Sequence, residues 1–546
     1  MAIKLIYKDI APDAKDDITN IETSEVNDNL SNVGVLKSDN ISPVRYATLE
    51  YNQWRLDGTY KALTNNNIPY MSTQVSSLNA TTLDNGVKTY LFDNPVSITR
   101  IFENKHQSVG VSFTFDYPDY CNYLTIEWFN DEESQIEYFY PDNTEYYCQK
   151  NIEIFNKVVV TFYGMSKPNR LLKLWTIDDG VNRIYTDKDV LSINILEEMS
   201  LISEDIPVNT LDFSLYHKEN IELMFQKKQP ILAYHNNELV GMFFIDIGDR
   251  TSQNIYDVSA NDYKGVLENN TFNGGIYFDE LAGNIINDIF KDEKITLEID
   301  EETFNTKLSG HLKIDTKRAA LMQVLFATCS VCSTARTDTF KIFKLKDTLS
   351  DVPSDRIKEG GSVKASSKPT SVKISIHKYT KETEIKELFT GEVLAGDNII
   401  QFSTPVDAES VTVTGATLKE VYANYCIVNV TENKEITVKG YQYVDNITTK
   451  EIVDPNKLLG KASETKEITD ATLISNSNYE AVLLNVYNHY MKNNTLECDI
   501  QLLDEQAGDN ITLHTAWSGD KTGRIEQLDY DIKNKKIGKV VQRISG

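Results

Sequence analysis

From Val190 to Phe278, apolar and polar residues change places at every second position, run after run. Leu211, Phe213 and Leu215 fall on one face of a first strand, Ile231 and Ala233 on that of a second, and Phe243 and Ile245 on that of a third. This is the pattern of half-buried antiparallel strands. Asn236-Asn237 and Gly248-Asp249 are the expected turns between them, being residue types that tight turns favour. Upstream, YATLEYNQWRLDGTY (46–60), SVGVSFTFD (108–116), YLTIEWFN (123–130), QIEYFYP (135–141), KVVVTFYG (157–164) and NRLLKLWTID (169–178) repeat the alternation between Pro, Asn, Asp and Gly. A β-sandwich or jelly roll is predicted there. Downstream, SVKISIHKYT, IIQFSTPV, SVTVTGATL, YCIVNVT and EITVKGYQYV alternate to about residue 444, a second antiparallel barrel or sandwich.

Three stretches change period. Leu281, Ile285, Ile286 and Ile289 recur at helical spacing, AALMQVLFAT follows Thr316 as a plausible N-cap, and ATLISNSNYEAVLLNVYNHYMKN follows the same rule with Asn478 or Ser477 as cap. KITLEID and TFKIFKL lie around the first two as strands, so an α/β insertion is expected. The polar run DVPSDRIKEGGSVKASSKPT reads as a linker. The partition is 1–182 strap and jelly-roll module, 183–262 first tube-like β-barrel, 263–350 α/β insertion, 351–369 linker, 370–446 second β-barrel and 447–546 C-terminal α+β domain. The fold class is mainly β with α+β insertions.

At 546 residues the chain exceeds one core, and about 150 residues per domain gives roughly three to five domains. Hydrophobic content of 40% is enough to bury them, and 29 Tyr and 21 Phe against 13 Pro favour strands. The net charge of −26 argues against a nucleic-acid-wrapping surface and specific nucleic-acid binding. It either keeps the protein soluble or lines a channel through which DNA slides. MAIKLIYKDIAP has no secretory apolar run, and no stretch of about 18 apolar residues occurs. No membrane partner is expected, and synthesis in the bacterial cytoplasm with release by cell lysis is the expectation.

The order of pieces in the central ladder resembles that of hub proteins of phage tails and phage-tail-like particles (tailocins, a class of bacteriocin). The residues are Phe225-Gln226, a strand led by Pro230, the run Asn236 to Ile245 with Gly241, and Tyr256, Val258, Ala260 and Asp262 at alternate positions. Ala507-Gly508-Asp509-Asn510-Ile511-Thr512-Leu513 resembles the family's strand after its last helix. The first unit resembles a module ahead of the hub in tail proteins of phages of Gram-positive bacteria, a galactose-binding-type jelly roll. That likeness rests on Tyr46 to Glu50, Trp54, Leu56-Asp57-Gly58, Ser108-Val109-Gly110, Phe113 to Asp116, Leu124 to Trp128 and Pro168 to Leu171.

The resemblance implies a structural protein of the virion baseplate with two tube-like barrels per chain. A homotrimer would then present six, adapting a hexameric tail tube to a trimeric spike. Its implied partners are the tail tube protein, a tape-measure protein, a spike or tail-fibre receptor-binding protein and, in a contractile particle, baseplate wedge proteins. The alternative is a tail protein that binds cell-wall carbohydrate through the jelly roll. A peptidoglycan hydrolase ranks below both, because the lytic module that family members append is absent before Gly546.

No enzyme is expected. There is no nucleophile elbow, phosphate loop or dinucleotide fingerprint, and Gly274-Gly275 reads as a turn. His106, His217, His235, His311, His377, His489 and His514 stand in separate contexts, so no metal or cofactor is expected. Cys329 and Cys332 have metal-type spacing but no second pair, and read as thiols buried at a helix end. Asp246, Asp257 and Asp262 lack a calcium-loop pattern. Trp54, Trp128 and Trp175 are the candidate carbohydrate contacts, since an indole offers a flat face to a sugar ring. Trp128 and Trp175 sit inside strand patterns and read as core, whereas Trp54 is the least committed.

Overall fold

The structure, a computed structural model, describes residues 3–9, 18–23, 45–48, 60–63, 75–116, 118–179, 181–216, 230–293, 295–454, 464–533 and 537–545. They form two units, one within Leu5–Ile184 and the other built on Tyr185–Ile221 and Leu232–Gly546. Leu49, Glu50, Trp54, Leu56 to Gly58, His217 and Phe225-Gln226 lie outside the described residues.

The first unit is a sandwich made by bending two long strands. Lys88–Phe115 and Glu145–Met165 pair antiparallel from Tyr90↔Met165 to Thr114↔Glu145, with register shifts at Leu91/Val96 and at three places between Ile101 and Gly110. Each shift interrupts the ladder and bends the strand. Phe162 is registered opposite Val96 and Phe113 opposite Tyr146, yet the rings of Phe113 and Phe162 meet edge to face at 5.8 Å. The two halves of one ladder therefore face each other as layers. Cys121–Asn130 extends one layer and Lys173–Asp179 the other, and Ile98, Val111, Leu124, Trp128 and Phe155 fill the space between. The pattern at 108–116 marks only the second half of its strand, Lys88–Phe115. Pro95 sits within the Leu91/Val96 shift, where no ladder N–H is needed. The expected loose strap begins as a strand, Ile3–Asp9, with Ile3, Leu5 and Tyr7 buried.

The second unit is organised by one sheet that the chain enters twice. From Pro230–His235 onward its strands follow the order Pro230–His235, Glu238–Arg250, Ile255–Asn261, Thr210–Tyr216, Val190–Glu198, Gly519–Asp531, Ile537–Ile544, Asn494–Gln501, Ser362–Ala365, and Asn510–Thr515 also pairs with Gly519–Asp531. Leu211, Phe213, Leu215, Ile231, Ala233, Phe243 and Ile245 are all buried. Asn236 and Asn237 make the expected turn with φ of 52° and 67°. Gly248-Asp249 does not turn. It stays in the ladder opposite Val258 and Asp257, and the chain reverses at 251–254, where Arg250 donates to the carbonyls of Ser252 and Gln253.

The two passes have the same connectivity. In each, a first strand pairs with the fourth, the fourth with the third, and the third with the second. Glu238–Arg250 and Gly519–Asp531, the third strands, both have 13 residues. Ile245↔Ala260 is followed by a shift to Ile247↔Ser259, Gly248↔Val258 and Asp249↔Asp257. Ile525↔Gln542 is followed by the same shift to Gln527↔Val541, Leu528↔Val540 and Asp529↔Lys539. Leu211 opposite Ala260 thus corresponds to Leu496 opposite Gln542.

This corrects the placement of the second barrel at 370–446. Ser371–Ile376 pairs with Thr448–Val453 and Thr465–Ile468, and Val372, Ile374 and Ile376 pack with Val482 and Val486 of the Tyr479–Met491 helix. Lys386–Val393 and Gly396–Gln401 belong to two separate three-stranded sheets around Ile400, Cys426, Val428 and Val438. Alternation identifies a half-buried strand but not its neighbour. The 351–369 linker is also corrected. Leu349–Val352 pairs with Asn510–Thr515, and Ser362–Ala365 with Asn494–Gln501.

Between the passes lies the α/β insertion, where Ile285, Ile286 and Ile289 of Ala282–Ile289 pack on Leu321, Val324 and Leu325 of Lys317–Thr328. Thr316 caps the latter helix by accepting from the Ala319 N–H at 3.1 Å. Asn478 holds the cap position of Tyr479–Met491, but its side chain accepts from Ser475 N and donates to the carbonyls of Ala327 and Leu473. Gly274 makes the expected turn with φ of 64°, and a Cβ there would lie 2.1 Å from the Leu312 carbonyl oxygen.

Candidate functional site

The two ladders meet where Val190–Glu198 pairs with the second half of Gly519–Asp531, in the register Ile195↔Tyr530, Leu196↔Asp529, Glu197↔Leu528, Glu198↔Gln527. Alternation sends Ile195 inward and Asn194 and Leu196 toward the polar face, where Asn194 donates to Asp529 at 2.8 Å. Lys533 closes the end of the joint by donating to the carbonyls of Val190 and Leu191 at 2.6 and 3.1 Å.

Beneath the joint lies a buried ionic cluster. Glu197 is 1% exposed and accepts from the Tyr530 hydroxyl at 2.6 Å and from Arg336 Nε at 3.4 Å. Burial opposes the Arg336 charge, but Glu197 and Tyr530 outweigh it and hold that pKa above its ordinary value. Burial, then Glu197, pushes the Tyr530 phenol well up. Arg336 also donates to the Glu505 carbonyl, and the Glu505 carboxylate accepts from Arg356 at 2.6 Å. A second cluster ties the first ladder to the insertion. Lys264, 1% exposed, lies 3.2 Å from Asp262 and donates to Asn209 and the Glu198 carbonyl, while Thr334 donates to Asp262 at 2.6 Å. Such pairs hold only when every partner is present, since a buried charge left alone is costly.

The polar face of the first ladder carries a groove of about 400 Å³ lined by Asp212, Asp249, Asp257, Ser192, Ser214 and Ser259 among others, and no Lys or Arg is among the described lining residues. The second ladder differs. Glu497 takes both Lys364 and Lys539, and Arg543 donates to Glu526.

Among the described residues, no group of three or more His, Cys, Asp or Glu side chains is placed to hold a metal ion. Asp262 is spent on Lys264, while Asp246 and Asp257 are exposed. Cys332 is buried and Cys329 half-buried, both free, with burial first raising them to about 12 and about 11. Trp128 is 2% exposed in the sandwich core and has no face for a sugar. Trp175 lies in the Leu174/Thr176 register shift and is 39% exposed, the reverse of the core position its strand pattern implies. The joint and its cluster had no local sequence signal, because Glu197, Arg336 and Tyr530 come from three distant segments.

No protein-family model matches the chain, and no curated protein matches it in sequence. Among solved structures it is similar to the 43 kDa tail protein of prophage MuSo2 from Shewanella oneidensis, at 11% identity over 66% of this chain and 96% of that one, with a TM-score of 0.41. It is similar to a tail protein from Neisseria meningitidis MC58, at 9% identity over 67% and 94%, with a TM-score of 0.42. It is also similar to the prophage tail protein gp18 from Listeria monocytogenes EGD-e, at 12% identity over 67% and 91%, with a TM-score of 0.40. These structural neighbours are phage-tail proteins.

Proposed function

We propose that this chain is a structural hub of a phage-tail or tailocin baseplate, a homotrimer that adapts a hexameric tail tube to a trimeric spike or receptor-binding apparatus. The observation that carries the reading is the duplication. One chain supplies two ladders of the same connectivity and register, side by side in a continuous sheet. Three copies then offer six equivalent ladders, the symmetry a sixfold tube requires, while the rest of each chain keeps threefold symmetry.

The role is architectural rather than enzymatic. The acidic, serine-rich face of the first ladder fits a channel wall, since a surface bearing Asp212, Asp249 and Asp257, with no cation among its described lining residues, repels a passing polyanion. The tape-measure protein would occupy that channel before DNA does, with the tube protein above and the spike, fibre or wedge proteins around the hub.

Sedimentation of the full-length chain tests the proposal, with a particle of three times the 62.0 kDa chain mass expected. Addition of the tail tube protein of the same particle should then give a co-sedimenting complex. A chain monomeric at every concentration, or a trimer with no affinity for the tube protein, overturns the reading.

A further inference from the structure

We propose that copies of this chain join strand to strand. The Ser362–Ala365 edge of one copy pairs antiparallel with the 246–250 half of Glu238–Arg250 in the next, and Lys364 stands opposite Asp249. The inference deepens the hub reading and rests on it for the existence of an oligomer.

The chain already contains one such joint, and among the described residues no strand completes its twin. Val190–Glu198 lies on its ladder with Ile195↔Leu211 and Leu196↔Thr210, and offers its other edge to Gly519–Asp531. Ser362–Ala365 takes the same place on the second ladder, with Val363↔Leu496 and Lys364↔Thr495. Because Leu211 corresponds to Leu496, Val363 corresponds to Ile195 and Lys364 to Leu196. On the receiving side the shared register makes Asp249 correspond to Asp529 and Gly248 to Leu528.

Among the described residues, no strand pairs with either half of the missing joint. Ser362–Ala365 ends the sheet, and all four of its residues are exposed. Val363 is 37% exposed where its counterpart Ile195 is 0%. Pro230–His235, joined through the turn at Asn236-Asn237, reaches only the first half of Glu238–Arg250, and among the described residues no other strand covers the second half on that side. Natural sheets rarely leave such edges unmanaged.

Backbone direction agrees. Met199 donates to the Glu526 carbonyl at 2.9 Å, so in the internal joint the odd-numbered peptide groups of Val190–Glu198 face the second ladder. Ser366 donates to Asn493 at 3.0 Å, which leaves the peptide groups of Val363 and Ala365, the counterparts of Ile195 and Glu197, pointing away from their own ladder.

Charge agrees as well. Asp249 lines the acidic groove, and the corresponding Asp529 already receives Asn194, the counterpart of Ser362. Lys364 is held by Glu497, which also has Lys539 at 3.1 Å and so keeps a cation when Lys364 turns to Asp249. The contact is head-to-tail and propagates until it closes into a ring.

A cross-link tests this in the full-length chain. Lys364 and Asp249 would form a non-hydrogen-bonded pair with Cα atoms about 4.5 Å apart, within disulfide reach. Oxidised Lys364→Cys/Asp249→Cys protein should run as a covalent trimer on a denaturing gel, and neither single variant should. Lys364→Asp or Asp249→Lys alone should weaken association roughly fivefold per joint, with recovery in the double variant. A wild-type trimer without cross-link, or single reversals that assemble like wild type, overturns the strand joint and leaves the hub reading standing. A wild-type chain that never forms trimers overturns both.

Discussion

The phenol of Tyr530 donates to Glu197 at 2.6 Å across 333 positions of the chain, and Arg336 approaches the same carboxylate oxygen from a third segment. The triad pins one ladder to the other and both to the insertion. Arg336→Met leaves Glu197 buried without its cation and should cost about 3–5 kcal/mol in denaturant unfolding of the full chain. Tyr530→Phe removes one donor and should cost about 1–3 kcal/mol. The double variant Glu197→Gln/Arg336→Met should lose less than the sum of its single changes, because the stranded charge is gone.

His489 supplies a pH dependence. Burial first, then Arg543, Lys492 and Lys466, depresses its folded pKa to about 3 from an ordinary 6.5. The unfolded chain therefore binds this proton more readily than the folded one. The contribution is fully present above pH 6.5 and is lost as pH falls from there toward 3, at about 1.4 kcal/mol per unit. His489→Gln should flatten the slope of unfolding free energy against pH in that window and leave the slope above pH 7 unchanged.

The thiols should be silent in the native protein. Five of the six free cysteines are buried and Cys329 is half-buried, and burial lifts Cys121 and Cys332 to about 12 and Cys426 and Cys498 to about 11. An aromatic disulfide reagent at pH 8 should modify Cys329 alone, and slowly, before denaturation and all six cysteines after it. Rapid labelling of more than one native thiol would contradict the packing.

The two described tryptophan candidates separate packing from recognition. Trp128→Ala should destabilise the sandwich by about 3–5 kcal/mol, whereas Trp175→Ala, at a residue 39% exposed, should cost less, about 1–2 kcal/mol. If the first unit retains cell-wall glycan, Trp175→Ala should reduce retention in a pull-down while circular dichroism shows the protein still folded. Equal retention by that variant removes Trp175 from the surface involved.

Local chemistry determined what local chemistry could. Alternation marked Leu211, Phe213 and Leu215 as an inward face, Asn236-Asn237 as a hairpin turn and Thr316 as a helix cap, because each depends on neighbours within a few residues. Strand partners do not. Whether Ser362–Ala365 is a linker or a sheet edge, and whether the second ladder comes from 370–446 or from Asn494 onward, depends on hydrogen bonds between segments far apart in the chain. A polar edge strand exposes both faces, so its side chains carry no periodic burial signal to read. The duplication was hidden for a related reason. The two ladders share backbone register while their side chains differ, Phe213 against Cys498 and Gly248 against Leu528. Pairing is made by peptide groups that every residue except proline possesses in full, so only the folded chain could reveal it.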